Sequence, residues 1–395
     1  MKCNDARIGD VASFRKVSIK PDAGTIYHCY SLPAFDNARK PEVLDGSEIL
    51  SNKLHIENGD ILVNKLNMRF KRIWPVDSLQ ANSVCSTEFV PLCHNEKVDR
   101  DYLLYTLMSD DFTNALSGMR TGTSGSHQRV KPEWILDYKF PLPSIERQRR
   151  IGSFLSSLDQ KIAINTKLNG YLEELLLAQF TALSPNENWT EGRADSYYEI
   201  GIGKTPPRKE PEWFSDVKAD NHVWLSIKDM GETGTYSLDS SEYLTDAAVN
   251  AKNVRRVPAG SVLLSFKLTV GRVKIAGCNM TTNEAIACFA SDDKRKLAYA
   301  YPYLRSFDYG KLGSTSSIAT AVNSKTVKAM PFAMPGDLEL SEFYLSTKPI
   351  YEQLLATAKE SRFLAQLRDV LLPKLMSGEI DVSKVDLTQL NSHLA

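Results

Sequence analysis

SIERQRRIGSFLSSLDQKIAINTKLNGYLEELLLAQFTAL, residues 144–183, decides how this chain folds. Ile151, Leu155, Leu158, Ile162, Asn165, Asn169, Leu172, Leu176 and Gln179 follow one another at alternating steps of four and three. That spacing puts them on one helix face as a heptad seam. Apolar residues hold both ends of the seam and two asparagines hold its middle. Just before it stand Phe140, Pro141, Leu142 and Pro143. Proline fixes its own φ and turns the preceding residue away from helix, so the helix cannot start earlier.

The same design returns 192 residues later: Phe140 matches Phe332, Pro143 matches Pro335, and Lys167 matches Lys359. Leu172, Leu175 and Leu183 match Leu364, Leu367 and Leu375 without a gap. The second seam runs Ile350, Leu354, Thr357, Ser361, Leu364, again polar in the middle. One period of this length, present twice, marks a duplicated chain in which each half is a globular region followed by a helix. A single heptad stripe would be explained by a surface helix lying on its own domain. Two stripes at matched places, each polar in mid-seam, point instead to helices that pack on each other.

A chain of 395 residues with 42% hydrophobic and 24% charged residues reads as an ordinary soluble protein of two or three domains. No apolar run approaches the roughly 20 residues that span a bilayer. The first residues, MKCNDARIGD, lack the apolar core of a signal peptide. The six cysteines, at 3, 29, 85, 93, 278 and 288, form no CxxC, and the histidines complete no zinc pattern. Free thiols and a cytoplasmic location are expected.

Forty-eight basic and 48 acidic residues cancel, yet they are unevenly placed. Residues 61–76 carry Lys65, Arg69, Lys71 and Arg72 and no acid; residues 112–132 carry Arg120, Arg129 and Lys131 and no acid. Residues 247–283 carry Lys252, Arg255, Arg256, Lys267, Arg272 and Lys274, and residues 309–336 carry Lys311, Lys325 and Lys328, again without an acid. Local basic footprints on a neutral protein suit phosphate binding.

The layout of the first half is a buried strand ending at Val63, the basic loop from Lys65 to Arg72, a strand candidate over residues 86–92, and a helical stretch over 99–117. A loop of glycine, hydroxyls and donors follows, MRTGTSGSHQRV, residues 119–130. It is poor core material and good contact material for phosphates or base edges. The second half repeats the order with a strand ending at Ser265, the loop KLTVGR (267–272), a helix near 299–307 and the loop GSTSSIATAVNSK (313–325). A turn, GIGKTPPRK (201–209), opens it. Equal layout with different loops suggests two readers of two different sequences.

No catalytic motif stands up. Gly203-Lys204-Thr205 could end a phosphate-binding loop, but that motif requires glycine where Tyr198 stands, and the following prolines forbid its helix. There is no Asn/Asp-Pro-Pro-Tyr/Phe of an amino-methyltransferase and no nucleophile–base arrangement.

GDILVNKLNMRF (59–70), TGTSGSHQRV (121–130), FPLPSIERQRRIGSFLSSLDQKI (140–162), GKTPPR (203–208), WLSIKDM (224–230) and LAQLRDVLLPKLMSGEI (364–380) together make the chain resemble the specificity subunit of a type I restriction-modification system over nearly its whole length. The resemblance implies an α+β chain with an internal pseudo-twofold repeat. Two target-recognition domains, at residues 1–143 and 186–336, alternate with two helical regions, 144–185 and 337–395, which pair as an antiparallel coiled coil. Each domain would read one half of a split, asymmetric site on double-stranded DNA. The helices would space the halves and dock two methyltransferase subunits. The chain itself would hold no cofactor and no metal: S-adenosylmethionine belongs to the methyltransferase subunits, and ATP and magnesium to the partner subunits, including restriction subunits in the full complex. Carrying over the contact loops selects Lys65, Asn67, Arg69, Arg72, Ser124, Ser126, His127, Gln128 and Arg129 in the first domain. In the second it selects Lys204, Arg208, Lys228, Lys267, Thr269, Arg272, Asn323, Ser324 and Lys325. Asn165, Asn169, Thr357 and Ser361 would set the helix register by polar pairing. Pro349 and Pro373 suggest that the second helix is regular only between them. The alternative from a different class is a coiled-coil scaffold whose globular halves bind proteins.

Overall fold

The computed structural model describes residues 4–37, 39–119, 129–312 and 322–382. The chain divides into two compact units, Met1–Lys161 with Leu364–Ala395, and Ile162–Phe363. The division cuts both long helices, Ile145–Thr181 and Asp337–Ser377, so each unit contains one domain and one end of each helix.

In the first unit the strand Phe89–His94 lies between Ala12–Phe14 and Ile61–Asn64, with Ile73–Pro75 outermost, all antiparallel. Ile61, Leu62, Val63 and Asn64 are all buried, the sign of a strand covered on both faces. A five-stranded sheet of Ser18–Ile19, Lys53–His55, Ser83–Ser86, Ile26–Tyr30 and Glu42–Asp45, in that order, stands beside it. Asn4–Arg7 pairs with Lys139–Leu142 and sets Ala6 opposite Phe140. The strand expected over 86–92 is two strands, Ser83–Ser86 and Phe89–His94, broken by a turn. The helical stretch is also two elements, Arg100–Met108 and Asp110–Gly118. Ser109 separates them because its hydroxyl accepts from the Phe112 N–H and caps the second helix.

The second unit repeats this order. Ile286–Ala290 lies between Glu199–Ile202 and Val262–Ser265, followed by Val273–Ala276 and Tyr236–Ser237. Thr190–Arg193 pairs with Pro331–Met334 and sets Gly192 opposite Phe332, the match of Phe140. The second sheet is Phe214–Ser215, Tyr243–Leu244, His222–Leu225 and Thr281–Thr282. Lys294–Ser306 takes the place of the first unit's Arg100–Met108, and Tyr102 and Tyr299 donate their hydroxyls to the matched carbonyls of Pro141 and Ala333. The repeat in the sequence is a repeat in the fold.

The long helices pair antiparallel in each unit. In the first, Ile151, Leu155, Leu158, Leu364, Leu372 and Leu375 are buried, and Arg368 Nη1 reaches Asp159 Oδ1 at 2.5 Å. In the second, Asn165 Nδ2 donates to Glu360 Oε2 at 2.7 Å, Thr357 Oγ1 bonds Asn169 Oδ1, and Ser346 bonds Gln179 at 3.3 Å. Numbers fall on one helix as they rise on the other. Leu176, Ile350, Leu354 and Thr357 are buried on the seam, while Ile162, Asn169, Leu172 and Ser361 are half-buried. Of the expected polar pairs, Asn169 with Thr357 forms. Asn165 turns to Glu360 instead, and Ser361 Oγ is buried without a hydrogen-bond partner among the described residues.

The expectation that the second helix is confined between its prolines is overturned: it runs unbroken from Asp337 to Ser377 through Pro349 and Pro373. An interior proline costs about 3 kcal/mol by removing one hydrogen bond and crowding the carbonyl four residues back. Pro349 faces the carbonyl of Leu345, which is exposed, and burial of Leu340, Phe343, Ile350 and Leu354 along the seam outweighs the loss. The helix stops instead at Gly378, whose φ of +80° closes the end as Ile380 N–H returns to Lys374 O at 3.2 Å.

One buried charge makes a measurable signature. Lys274, in Val273–Ala276, is buried and donates to the carbonyls of Glu232 and Gly234, holding that turn. Burial pushes its ammonium down to about 8. Because the folded value lies below the unfolded one, the unfolded chain binds more protons between about pH 8 and 10.5, and stability rises with pH there. The unfolding free energy from denaturant titrations is expected to gain on the order of 1–2 kcal/mol more between pH 8 and 10 for the wild type than for Lys274→Met. Equal slopes for the two proteins would dismiss the buried ammonium as the source.

Candidate nucleic-acid interface

Each unit carries a β-hairpin in its central sheet, Ile61–Asn64 with Ile73–Pro75 and Val262–Ser265 with Val273–Ala276. The basic loops sit between the strands and are fastened in the same way. Asn64 closes its strand fully buried; its Oδ1 accepts the Arg72 N–H at 3.3 Å and its Nδ2 donates to Leu66 O at 2.8 Å. Ser265 does the same, accepting the Arg272 N–H at 2.9 Å and donating to Thr269 O at 2.6 Å. A buried polar side chain needs partners, and here the loop backbone supplies them. The apolar runs Ile-Leu-Val-Asn and Val-Leu-Leu-Ser, each closed by one polar residue, were the signal that could have found these two staples.

In the first unit the loop is drawn against neighbouring segments. Lys65 N–H donates to Glu88 O and Val130 N–H to Lys65 O, both at 2.9 Å, and Leu66 bridges Arg129. Asn67, Arg69, Met119 and Arg129 thereby line one cavity, so the residues on either side of segment 120–128 share it with the basic loop. Ser124, Ser126, His127 and Gln128 lie outside the described residues. Asn67 takes φ +53° and accepts from Arg69 Nε at 3.1 Å. Arg129 pairs with Glu88 through two bonds of 3.1 and 2.9 Å, which raises its pKa further. Arg72 is turned inward: it makes two bonds to Asp36, at 2.8 and 2.7 Å, and lies against the Phe70 ring.

In the second unit four bonds gather four loops. Lys204 N–H donates to Thr282 O at 2.8 Å, Asn283 N–H to Leu225 O at 3.0 Å, Phe266 N–H to Ala285 O at 2.9 Å, and Arg272 Nη1 to Ile227 O at 2.6 Å. They place the segments bearing Lys204, Lys228, Lys267, Thr269 and Arg272 at one end of the unit. Gly203 is required there, since a Cβ would fall 2.2 Å from Asn283 O and 2.3 Å from Thr282 O. The Tyr309 ring rests on Gly271, so the residues leading into segment 313–321 begin beside the hairpin, as in the first unit. Arg208 is held between the rings of Phe214 and Trp224, at 4.2 and 4.7 Å, and makes two bonds to Glu242. Asn323 caps the helix Ser324–Lys328, accepting from the Lys325 and Thr326 N–H groups, and Lys325 is exposed on its first turn.

The acid-free runs are therefore not free of acid in space. Arg72 meets Asp36, Lys71 meets Asp110, Arg129 meets Glu88, Lys252 meets Glu210 and Arg255 meets Glu199. Lys65, Lys228 and Lys267 make no ion pair with another described residue. The partners Glu88 and Glu242 went unread in the sequence because nothing local links them to their arginines.

Residues 3–174 match the family described as the type I restriction modification DNA specificity domain. The chain is 22% identical over 408 residues to the type I restriction enzyme HindI specificity subunit of Haemophilus influenzae, covering 83% of this chain and 88% of that one. It is 21% identical over 313 residues to the type I restriction enzyme MjaIX specificity subunit of Methanocaldococcus jannaschii, covering 72% of this chain and 70% of that one. Its fold is similar to the crystal structure of the type I restriction-modification system S subunit from M. genitalium, with a TM-score of 0.55 at 13% identity, over 95% of this chain and 96% of that one.

Proposed function

We propose, for a chain that belongs through residues 3–174 to the type I restriction modification DNA specificity domain family, that it is the sequence-reading subunit of a type I restriction-modification complex. Each unit reads one half of a bipartite site on double-stranded DNA, and the paired helices set the gap and dock two methyltransferase subunits. Catalysis belongs to those partners and to any restriction subunit.

The observation that carries this reading is the interface built twice. In both units a stapled hairpin, a basic loop and a residue flanking a glycine- and hydroxyl-rich segment, Met119 or Tyr309, share one end of the domain, with different side chains on the same frame. Lysines there can meet a DNA phosphate and paired arginines can exchange a carboxylate for one, and such contacts fix position while the variable loops reach base edges. Docking has its own support. Ile164, Leu168, Tyr171 and Leu175, at steps of four, three and four on the first long helix, are exposed beside the seam. An apolar stripe of that kind on a helix is a place for a partner helix.

Exchange of residues 1–138 for the first domain of another family member tests the reading. Methylation mapping in cells that supply the methyltransferase subunits is expected to show one half-site changed and the other kept. Loss of both half-sites together in a folded, assembled exchange would end the claim of two independent readers.

A further inference from the structure

We infer that Leu268, at the tip of the second unit's hairpin, is an apolar base contact that meets the methyl group of a thymine in the major groove of the half-site read by that unit. This rests on the reading of the chain as a DNA reader and adds a specificity-determining residue that the charge pattern does not reveal.

Leu268 is 96% exposed and takes φ +62°. Left-handed backbone suits glycine and asparagine, and a leucine there is strained by its Cβ. The first unit's loop puts Asn67, with φ +53°, where its own backbone turns left-handed. In the second unit the backbone is held from both sides, by Thr269 N–H to Lys267 O at 2.7 Å and by Ser265 Oγ to Thr269 O at 2.6 Å. Leu268 thus gains nothing from burial and loses something to conformation. Folding does not account for it, and strained positions of this sort gather at ligand contacts.

The surroundings indicate the ligand. Lys267 is exposed next to the leucine, the loop holds no acid, and the bonds described above bring the segments of Lys204 and Lys228 to the same end. With Glu284 in a neighbouring loop, that is a mostly cationic rim around an apolar tip, on the loop that joins two strands of the sheet. The major groove of B-DNA is wide enough for such a loop tip, phosphates line its edges, and the one apolar group displayed on a base edge there is the thymine C5 methyl. The first unit has a counterpart in Phe70, exposed beside Arg69 and Lys71 in the matched loop.

The test uses the chain assembled with its methyltransferase subunits and duplexes bearing the motif methylated by the wild-type complex. Each thymine of the second unit's half-site, assigned by domain exchange, is replaced singly by deoxyuridine, which lacks only the methyl. One such replacement is expected to weaken wild-type binding about five- to tenfold and to leave Leu268→Ala binding unchanged. The variant alone should lose about the same factor and accept other bases at that position, with the first half-site untouched. Leu268→Asn, which suits the backbone, is expected to show the same loss of discrimination together with an unchanged or higher melting temperature, separating contact from folding. Insensitivity of the wild type to every deoxyuridine, or equal sensitivity of wild type and variant, overturns the inference. So does a folded Leu268→Ala chain that fails to assemble with its methyltransferase subunits, which would make the tip a protein contact. A wild-type complex with no sequence preference at all would instead overturn the reading of the chain as a DNA reader.

Discussion

Replacing Tyr299 with alanine is expected to destabilise the second unit by about 3–5 kcal/mol, the usual toll of removing a large aromatic from a core. Tyr299 is fully buried, and five aromatic rings surround it: Phe180, Trp189, Tyr303, Phe332 and Phe343, with centroids 5.5–6.2 Å away. Phe180 ends the first long helix and Phe343 begins the second, so this one ring ties both helices to the domain's core within the unit. Its hydroxyl donates to Ala333 O at 2.8 Å, on the strand that leads into the second helix. Tyr299→Phe removes that bond alone and should cost about 1 kcal/mol. Urea unfolding of the full chain, followed by far-ultraviolet circular dichroism, measures both. An alanine variant within 1 kcal/mol of wild type would mean that the aromatic cluster is not what holds the helix ends to the domain.

Adding one heptad to each long helix, after Lys161 and after Phe363, is expected to shift the methylated motif itself. Seven residues keep both seams in phase and lengthen each helix by about 10 Å. At about 3.4 Å per base pair the gap between half-sites should widen by up to about 3 base pairs. The same step turns the second half-site by roughly 100° around the duplex, given about 10.5 base pairs per turn, so affinity should fall and the preferred gap can settle below 3. A four-residue insertion in one helix alone breaks the pairing of Asn165 with Glu360 and Asn169 with Thr357 and should harm folding more than spacing. Methylation mapping of cells carrying the two-heptad chain is the measurement. An active variant that methylates only the original gap would leave the helices as docking surface and refute their part in spacing.

The periodic features were legible because they need no partner to be seen. The heptad seam appears as Leu155, Leu158 and Leu176 fully buried, and the duplication as the same order of four strands in the two central sheets. The antiparallel pairing came from family resemblance, not from the seam, since a heptad does not encode direction. The limits of the second helix were misread because Pro349 was judged by its local penalty, while the packing of Leu340, Phe343 and Leu354 that outweighs it is tertiary. The candidate interface was half legible. Composition marked the loops correctly as basic, and the second unit's loops do converge. Composition could not show that Arg72 is bound to Asp36, 36 residues away, or Arg208 to Glu242, 34 away. Nor could it show that Leu268, an ordinary residue in a list of cations, stands at the tip.

The place where the chain divides has a consequence for its synthesis. Ile151, Leu155, Leu158 and Asp159 are synthesised early, but Arg368, which bonds Asp159, and the buried Leu364, Leu372 and Leu375 of the paired helix emerge some 200 residues later. The second unit, Ile162–Phe363, is continuous and has everything it needs as soon as it leaves the exit tunnel. The unit begun first is therefore completed last. For the interval of translation between them, roughly 10–40 s at 5–20 residues per second, the nascent first unit displays an uncovered apolar seam that a chaperone could bind and a premature stop would leave open for good.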